Sequence, residues 1–327
     1  MWLAQVPTHW DIRQGDWHYS VEATRVFGLH MFARHSELTM GPFTVGVAWM
    51  LQLGGTNGLA RALLLGWLLA PVALLLVERA ALRRREERLL VELTTLVGGA
   101  MLLHTWQRAV DPMGHLDEVL AMTFAALAVW AVATRRRWTL VAAVALAAAS
   151  KAWGVLLLPL CLVVGVPALG AAAALVLLAY VPFGVGAYTQ AVDPASGLAA
   201  LGVHAAQMPG WVRPAQVVLG LALATACVLR RRWGGALAAA LGVRLALDPQ
   251  VYGYYTPSFV LAALVLDLAA LRRPLPVATL ATYVCLEVVP DWVHDDALLG
   301  RLRLVDAAVL VVASSALSGT SRTCTTR

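Results

Sequence analysis

Between Asn57 and Leu317 the chain is a succession of apolar runs broken by short polar turns, and this restricts the fold more than any other feature. Inside a bilayer every backbone N–H and C=O must be satisfied within the protein, so only helices and closed barrels cross it. Ala and Leu fill the runs, without the polar–apolar alternation of a barrel strand. An all-α, polytopic transmembrane bundle is therefore expected. Composition agrees: 60% of the 327 residues are hydrophobic and 13% charged, where a soluble domain carries about 25% charged residues.

The runs predict spans at Asn57–Arg79, Leu89–Gln107, Asp117–Thr134, Trp138–Ser150, Ala152–Val166, Ala168–Gly186, Arg213–Arg230, Gly234–Leu247, Tyr252–Leu271, Pro274–Val289 and Arg301–Leu317. That is roughly eleven, several shorter than the ~20 residues of a perpendicular crossing. The pieces on either side of Ser150-Lys151 read as one bent hairpin. Residues 1–56 read as an extracytoplasmic or interfacial segment, residues 57–317 as the bundle and residues 318–327 as a cytoplasmic tail. Within the first segment, Val21–Arg34 reads as an amphipathic helix with Val26, Phe27, Leu29 and Phe32 towards lipid. Gly41–Leu53 is apolar but short for a span. The first forty residues lack the apolar core of a signal peptide.

Arginines cluster at residues 83–85, 88, 135–137, 230–232 and 272–273, and again at Arg322 and Arg327. With these spans all the clusters fall on one side, which the positive-inside rule makes cytoplasmic. The net charge of +6 thus reflects topology, and no nucleic-acid partner is implied. The alternate connections carry the Asp, His and Tyr clusters, which places them on the extracytoplasmic face. Charged groups at the lip of a span are costly to hold there and mark functional sites. The four Cys are scattered without a CxxC pair, so neither a disulfide framework nor a zinc site is indicated.

Asp111-Pro112-Met113-Gly114-His115-Leu116-Asp117-Glu118 gathers three acids and an imidazole at one such lip. These groups could form a metal cluster, a base with its orienting partner, or a helix cap; HxD by itself fixes at most two ligands. Lys151 is the only lysine, the other 24 basic residues being arginine. It either snorkels to the interface or supplies a compact charge for a phosphate or carboxylate. Arg244 could pair with Asp248 at i,i+4 or grip a phosphate through two N–H groups. Asp16 could cap a helix or serve as a general base under Trp17 and Tyr19. Tyr252, Tyr254 and Tyr255 fit an aromatic belt, or a surface on which a sugar stacks. Asp291, His294, Asp295 and Asp296 make another acidic loop.

These stretches together resemble the GT-C superfamily of membrane glycosyltransferases, which use polyprenyl-phosphate sugars, and most of all its actinobacterial mannosyltransferase-type members. Gly15-Asp16-Trp17-His18-Tyr19 with residues 35–42 is similar to the family's first outer loop, where a catalytic Asp precedes a juxtamembrane helix. Residues 114–118 resemble its G-H-x-D-[DE] element. Ser150-Lys151 with Leu156-Leu157-Leu158-Pro159 resembles its S-K-P…LLP bend, with Ala152 in place of the Pro. Residues 244–249 with Tyr254 and Tyr255 resemble its R-x-x-x-D-P…YY segment. The family also has a span before the Asp-bearing loop, which residues 1–15 do not contain.

The resemblance implies transfer of a sugar, weighted towards mannose, from a polyprenyl-phosphate donor to a lipid or glycan acceptor in the cell envelope. Inversion would occur at the plasma membrane's outer face. It implies Asp16 as base, His115 and Asp117 as orienting groups, and Lys151 and Arg244 on the phosphate, with Asp248, Tyr254 and Tyr255 lining the substrate. It requires no cofactor, although some members use a divalent metal. A transporter or flippase for an anionic or lipid-linked sugar, and a non-catalytic relative, are the other readings. A transporter usually carries inverted repeats, and none is evident.

Overall fold

The computed structural model describes residues 16–35, 38–53, 55, 57–83, 87–111, 114–184, 186, 190–271 and 275–316. Among these residues the chain is helical, with one isolated bridge between Met40 and Lys151 and no strand. In order, the helices are α1 (Asp16–Arg25), α2 (Met31–Arg34), α3 (Pro42–Gln52), α4 (Gly58–Leu82), α5 (Arg88–Val110), α6 (Leu116–Ala133) and α7 (Arg137–Ser150). A 3₁₀ helix over Ala152–Val163 precedes α8 (Val166–Tyr180), α9 (Gly197–Ala200), α10 (Val212–Leu229), α11 (Ala236–Leu247), α12 (Thr256–Leu266), α13 (Val277–Tyr283) and α14 (Asp296–Ala316). Helix-like turns continue α12 to Leu271 and α13 to Asp291.

Five segments among the described residues are long and apolar enough to cross a membrane: Gly58–Leu82, Arg88–Val110, Leu116–Ala133, Val212–Leu229 and Gly253–Ala270. Each has a counterpart in the apolar runs of the sequence. Four further apolar helices are shorter: Arg137–Ser150, Ala152–Val163, Val166–Tyr180 and Trp233–Leu247.

The packing is that of a membrane bundle. On α4 the small residues Ala62, Gly66, Ala70 and Ala73, followed by Val77, are buried, whereas Leu64, Leu68, Val72 and Leu75 face outward. Helix association in lipid relies on close backbone approach rather than on expulsion of water, which favours such small-residue seams. At the centre, α6 and the Gly253–Ala270 segment are 78% buried, against 28% for the apolar stretch of α4. Helix α6 packs on α4 and α7, and α11 packs on α10, α12 and α14.

The α7–3₁₀ junction shapes the site. Lys151 is extended (φ −149°, ψ 138°), and the 3₁₀ run folds back against α7. A Cβ on Gly154 would lie 2.3 Å from the Ala147 carbonyl carbon, so only glycine permits this contact. The Ser150 carbonyl, freed by the break, accepts the Gly41 N–H at 2.7 Å and the Thr44 hydroxyl at 3.0 Å. Gly41 is equally confined, because its Cβ would fall 2.1 Å from the Ala149 oxygen. Residues 40–44 are thereby pinned to the break.

The stretch Val21–Arg34 is two helices rather than one. It is interrupted before α2, where His30 adopts a left-handed conformation (φ 62°). Phe27 and Leu29 are exposed as expected, but Phe32 is buried and lies near Tyr180 and Phe183. Helix α3 is too short to span and packs on α1, α4 and α7.

Candidate functional site

Four helix ends converge on one charged network: the start of α6, the break after α7, the end of α11 and the turn before α12. Three of those helices carry arginine at their other ends, Arg135–Arg137 between α6 and α7 and Arg230–Arg232 before α11. At 1.5 Å per residue, the length of α6 puts the network about 27 Å from the Arg135 cluster. Arg84, Arg85, Arg272, Arg273, Arg322 and Arg327 lie outside the described residues.

Lys151 is the anchor. Its Nζ lies 2.9 Å from Asp117 Oδ2 and 3.0 Å from Glu118 Oε2. The other Asp117 oxygen accepts the Glu118 N–H at 2.8 Å. Glu118 Oε2 also accepts the Trp153 indole N–H at 3.2 Å. The ammonium sits 4.9 Å from the Tyr254 ring centre and 5.2 Å from that of Tyr255, adding cation–π attraction. It is buried, so it does not snorkel to the interface.

Arg244 forms the second half. It too is buried, with its guanidinium 4.4 Å from the Tyr255 ring centre. Its ion pairs are long: 3.5 Å from Nε to Asp248 Oδ2, at i,i+4, and 3.7 Å from Nη1 to Glu118 Oε1. Arg213, half exposed, stands 3.8 Å from Asp248 Oδ1. Arg244 Nη1, Asp248 Oδ2 and Glu118 Oε1 are all buried and lack a hydrogen-bond partner. An unsatisfied buried group of this sort costs roughly 1–3 kcal/mol, more when charged.

Two cavities flank this half. The larger, about 400 Å³, has Lys151, Arg213, Gln216 and Arg244 among its polar groups. Its apolar wall includes Phe32, Leu38, Met40, Trp153, Leu156 and Val217, so the pinned N-terminal stretch closes one side. The smaller, about 230 Å³, is lined by Asp248, Gln250, Tyr252, Arg108, Glu287 and Asp291, among others. Arg108 donates from Nε to Glu287 Oε1 at 2.9 Å, and its Nη2 stands 2.9 Å from the same oxygen, which fixes that wall. Tyr255 borders both cavities.

Of the residues singled out in the sequence, His115, Asp117, Lys151, Arg244, Asp248, Tyr254 and Tyr255 come together here. His115 stacks on Tyr254 with ring centres 3.5 Å apart. Asp16 opens α1, but its side chain lies outside the described residues. Its neighbour Trp17 belongs to one apolar cluster with Leu116 and Leu120 of α6. Asp111 sits at the α5–α6 turn, where burial pushes its carboxyl above the usual range. Asp295 caps the start of α14 by accepting the Leu298 N–H. Among the described residues, no three His, Cys, Asp or Glu groups converge to hold a metal ion. Both oxygens of Asp117 are already engaged.

Sequence reasoning did not give Arg213, Trp153 or Gln216 a place in the site. Arg213 figures in the sequence only as the first residue of an apolar run, and Trp153 reads as one of the belt tryptophans. No protein-family model matches the chain, and no curated protein or solved structure matches it.

Proposed function

We propose that this protein is a membrane glycosyltransferase of GT-C type, moving a hexose from a polyprenyl-phosphate donor to an acceptor hydroxyl with inversion. The observation that carries the reading is Arg244, a buried guanidinium with an unpartnered N–H on the wall of a mainly apolar cavity. Such a site suits an amphipathic anion: apolar walls for prenyl carbon, and a planar cation for phosphate oxygens. The smaller cavity, with carboxylates, an amide and tyrosines, suits the hydroxyl groups of an acceptor.

In this reading Asp16 takes the acceptor's proton as the acceptor oxygen bonds to the sugar's C1. The bond from C1 to the phosphate oxygen breaks on the opposite face, and the electron pair leaves with the lipid phosphate. Arg244 and Arg213 receive that charge, with Lys151 behind them, so stabilisation is preorganised rather than assembled during the step. His115 and Tyr254 orient the acceptor. The four shorter apolar helices, together with α13 and its continuation and α14, bring the five long segments to roughly eleven crossings, some tilted or re-entrant, and the network faces the outside of the plasma membrane.

Membranes containing the protein should transfer sugar from a polyprenyl-phosphate hexose, and Asp16→Asn should abolish transfer at unchanged protein level. Full activity in Asp16→Asn would remove the base assignment; no transfer by the native protein from any such donor would remove the reaction.

A further inference from the structure

Glu118 stands between the two buried cations of the network. It is wholly buried, and its two oxygens face different cations. Oε2 is held by Lys151 at 3.0 Å and by the Trp153 N–H at 3.2 Å. Oε1 is left 3.7 Å from Arg244 Nη1, without a hydrogen bond. Both cations border the larger cavity, and Glu118 itself does not line it. The charged groups of the network are Lys151, Arg213 and Arg244 against Asp117, Glu118 and Asp248, so the network is electrically balanced before any anion enters.

We infer that Glu118 is a built-in competitor for the phosphate, weakening the cavity's grip so that a phosphate leaving group can depart. An incoming phosphate draws Arg244 Nη1 away from Glu118 Oε1, a contact too long to hold it. As the phosphate leaves, the carboxylate again supplies the nearest negative charge. Without that carboxylate both cations would answer to the ligand more fully, and release would slow. Glu118 is thus a positioning residue, acting through Lys151 and Arg244. The inference rests on the phosphate reading of the larger cavity.

The test is titration of detergent-purified protein with citronellyl phosphate, a short isoprenyl phosphate, by calorimetry. Glu118→Gln keeps shape and the Trp153 contact while removing the charge. It should bind the probe about tenfold more tightly, the scale of one added charge-assisted hydrogen bond. In a transfer assay its KM and kcat should fall together, because product release slows; a structural defect would raise KM or leave it alone. Should Glu118→Gln fail to fold, Glu118→Asp withdraws the carboxylate from both cations and should tighten binding by a smaller factor. Binding by folded Glu118→Gln or Glu118→Asp that is unchanged or weaker than native would overturn the competitor role alone. Absence of binding in the native and both variants would overturn the phosphate reading with it. Binding that appears only when Glu118 is changed would support the competitor role.

Discussion

The two halves of the charged network use similar groups to opposite ends. Around Lys151 the contacts are short, at 2.9 and 3.0 Å, and both Asp117 oxygens are occupied. Around Arg244 they stretch to 3.5 and 3.7 Å, and three buried polar atoms lack hydrogen bonds. A saturated ion pair in a low-dielectric interior has nothing left to offer a ligand, whereas a slack one does. The Lys151 half is therefore the frame that joins the start of α6, the break after α7 and the turn before α12, and the Arg244 half is where an anion can be received.

The comparison breaks most readily at Lys151. Lys151→Met takes away the one cation that Asp117 and Glu118 both hold closely, leaving Glu118 only its 3.7 Å contact with Arg244. Removing one partner of a buried pair costs about 3–5 kcal/mol, so this variant should show the largest loss of thermal stability in detergent. If it melts with the native protein, the frame assignment is wrong. Arg244→Gln sharpens the contrast from the other side. Its melting temperature should fall less than that of Lys151→Met, while transfer drops by about a hundredfold or more, the loss expected when a donor to developing charge is removed. A smaller step is Arg213→Ala: the half-exposed cation should contribute about twofold to fivefold in citronellyl phosphate affinity, at the scale of a single exposed charge contact, with little change in stability. Smallest of all is Glu92→Gln on the outside of α5. Its partner Arg88 lies 2.6 Å away, but the pair is exposed, and exposed pairs contribute little. Neither melting nor binding should move.

Much of the fold was legible because membrane helices announce themselves by length and by apolar character on every side, as α6 and α12 do. The arginine clusters fixed the ends of those helices by a rule of topology rather than of packing. The bend at Lys151 could also be read, since a lone lysine interrupts an apolar run. The 3₁₀ character of Ala152–Val163 could not, because it follows from the fold-back of Gly154 on Ala147, a contact between backbones. Phe32 was placed towards lipid on helical periodicity, but the break at His30 turns it inward. The site's members were visible one by one, and their pairing was not: Glu118 and Asp117 are adjacent in sequence, and only the fold shows that both reach Lys151 while Glu118 alone also faces Arg244. Arg213 escaped notice because nothing in its local sequence marks it, and only the fold brings it within 3.8 Å of Asp248.

The most direct test of an anion-receiving Arg244 half is a calorimetric titration of native protein and Arg244→Gln with citronellyl phosphate. The account predicts saturable binding by the native protein and its loss in Arg244→Gln while that variant remains folded. Equal binding by the two, or none by the native protein, would contradict it.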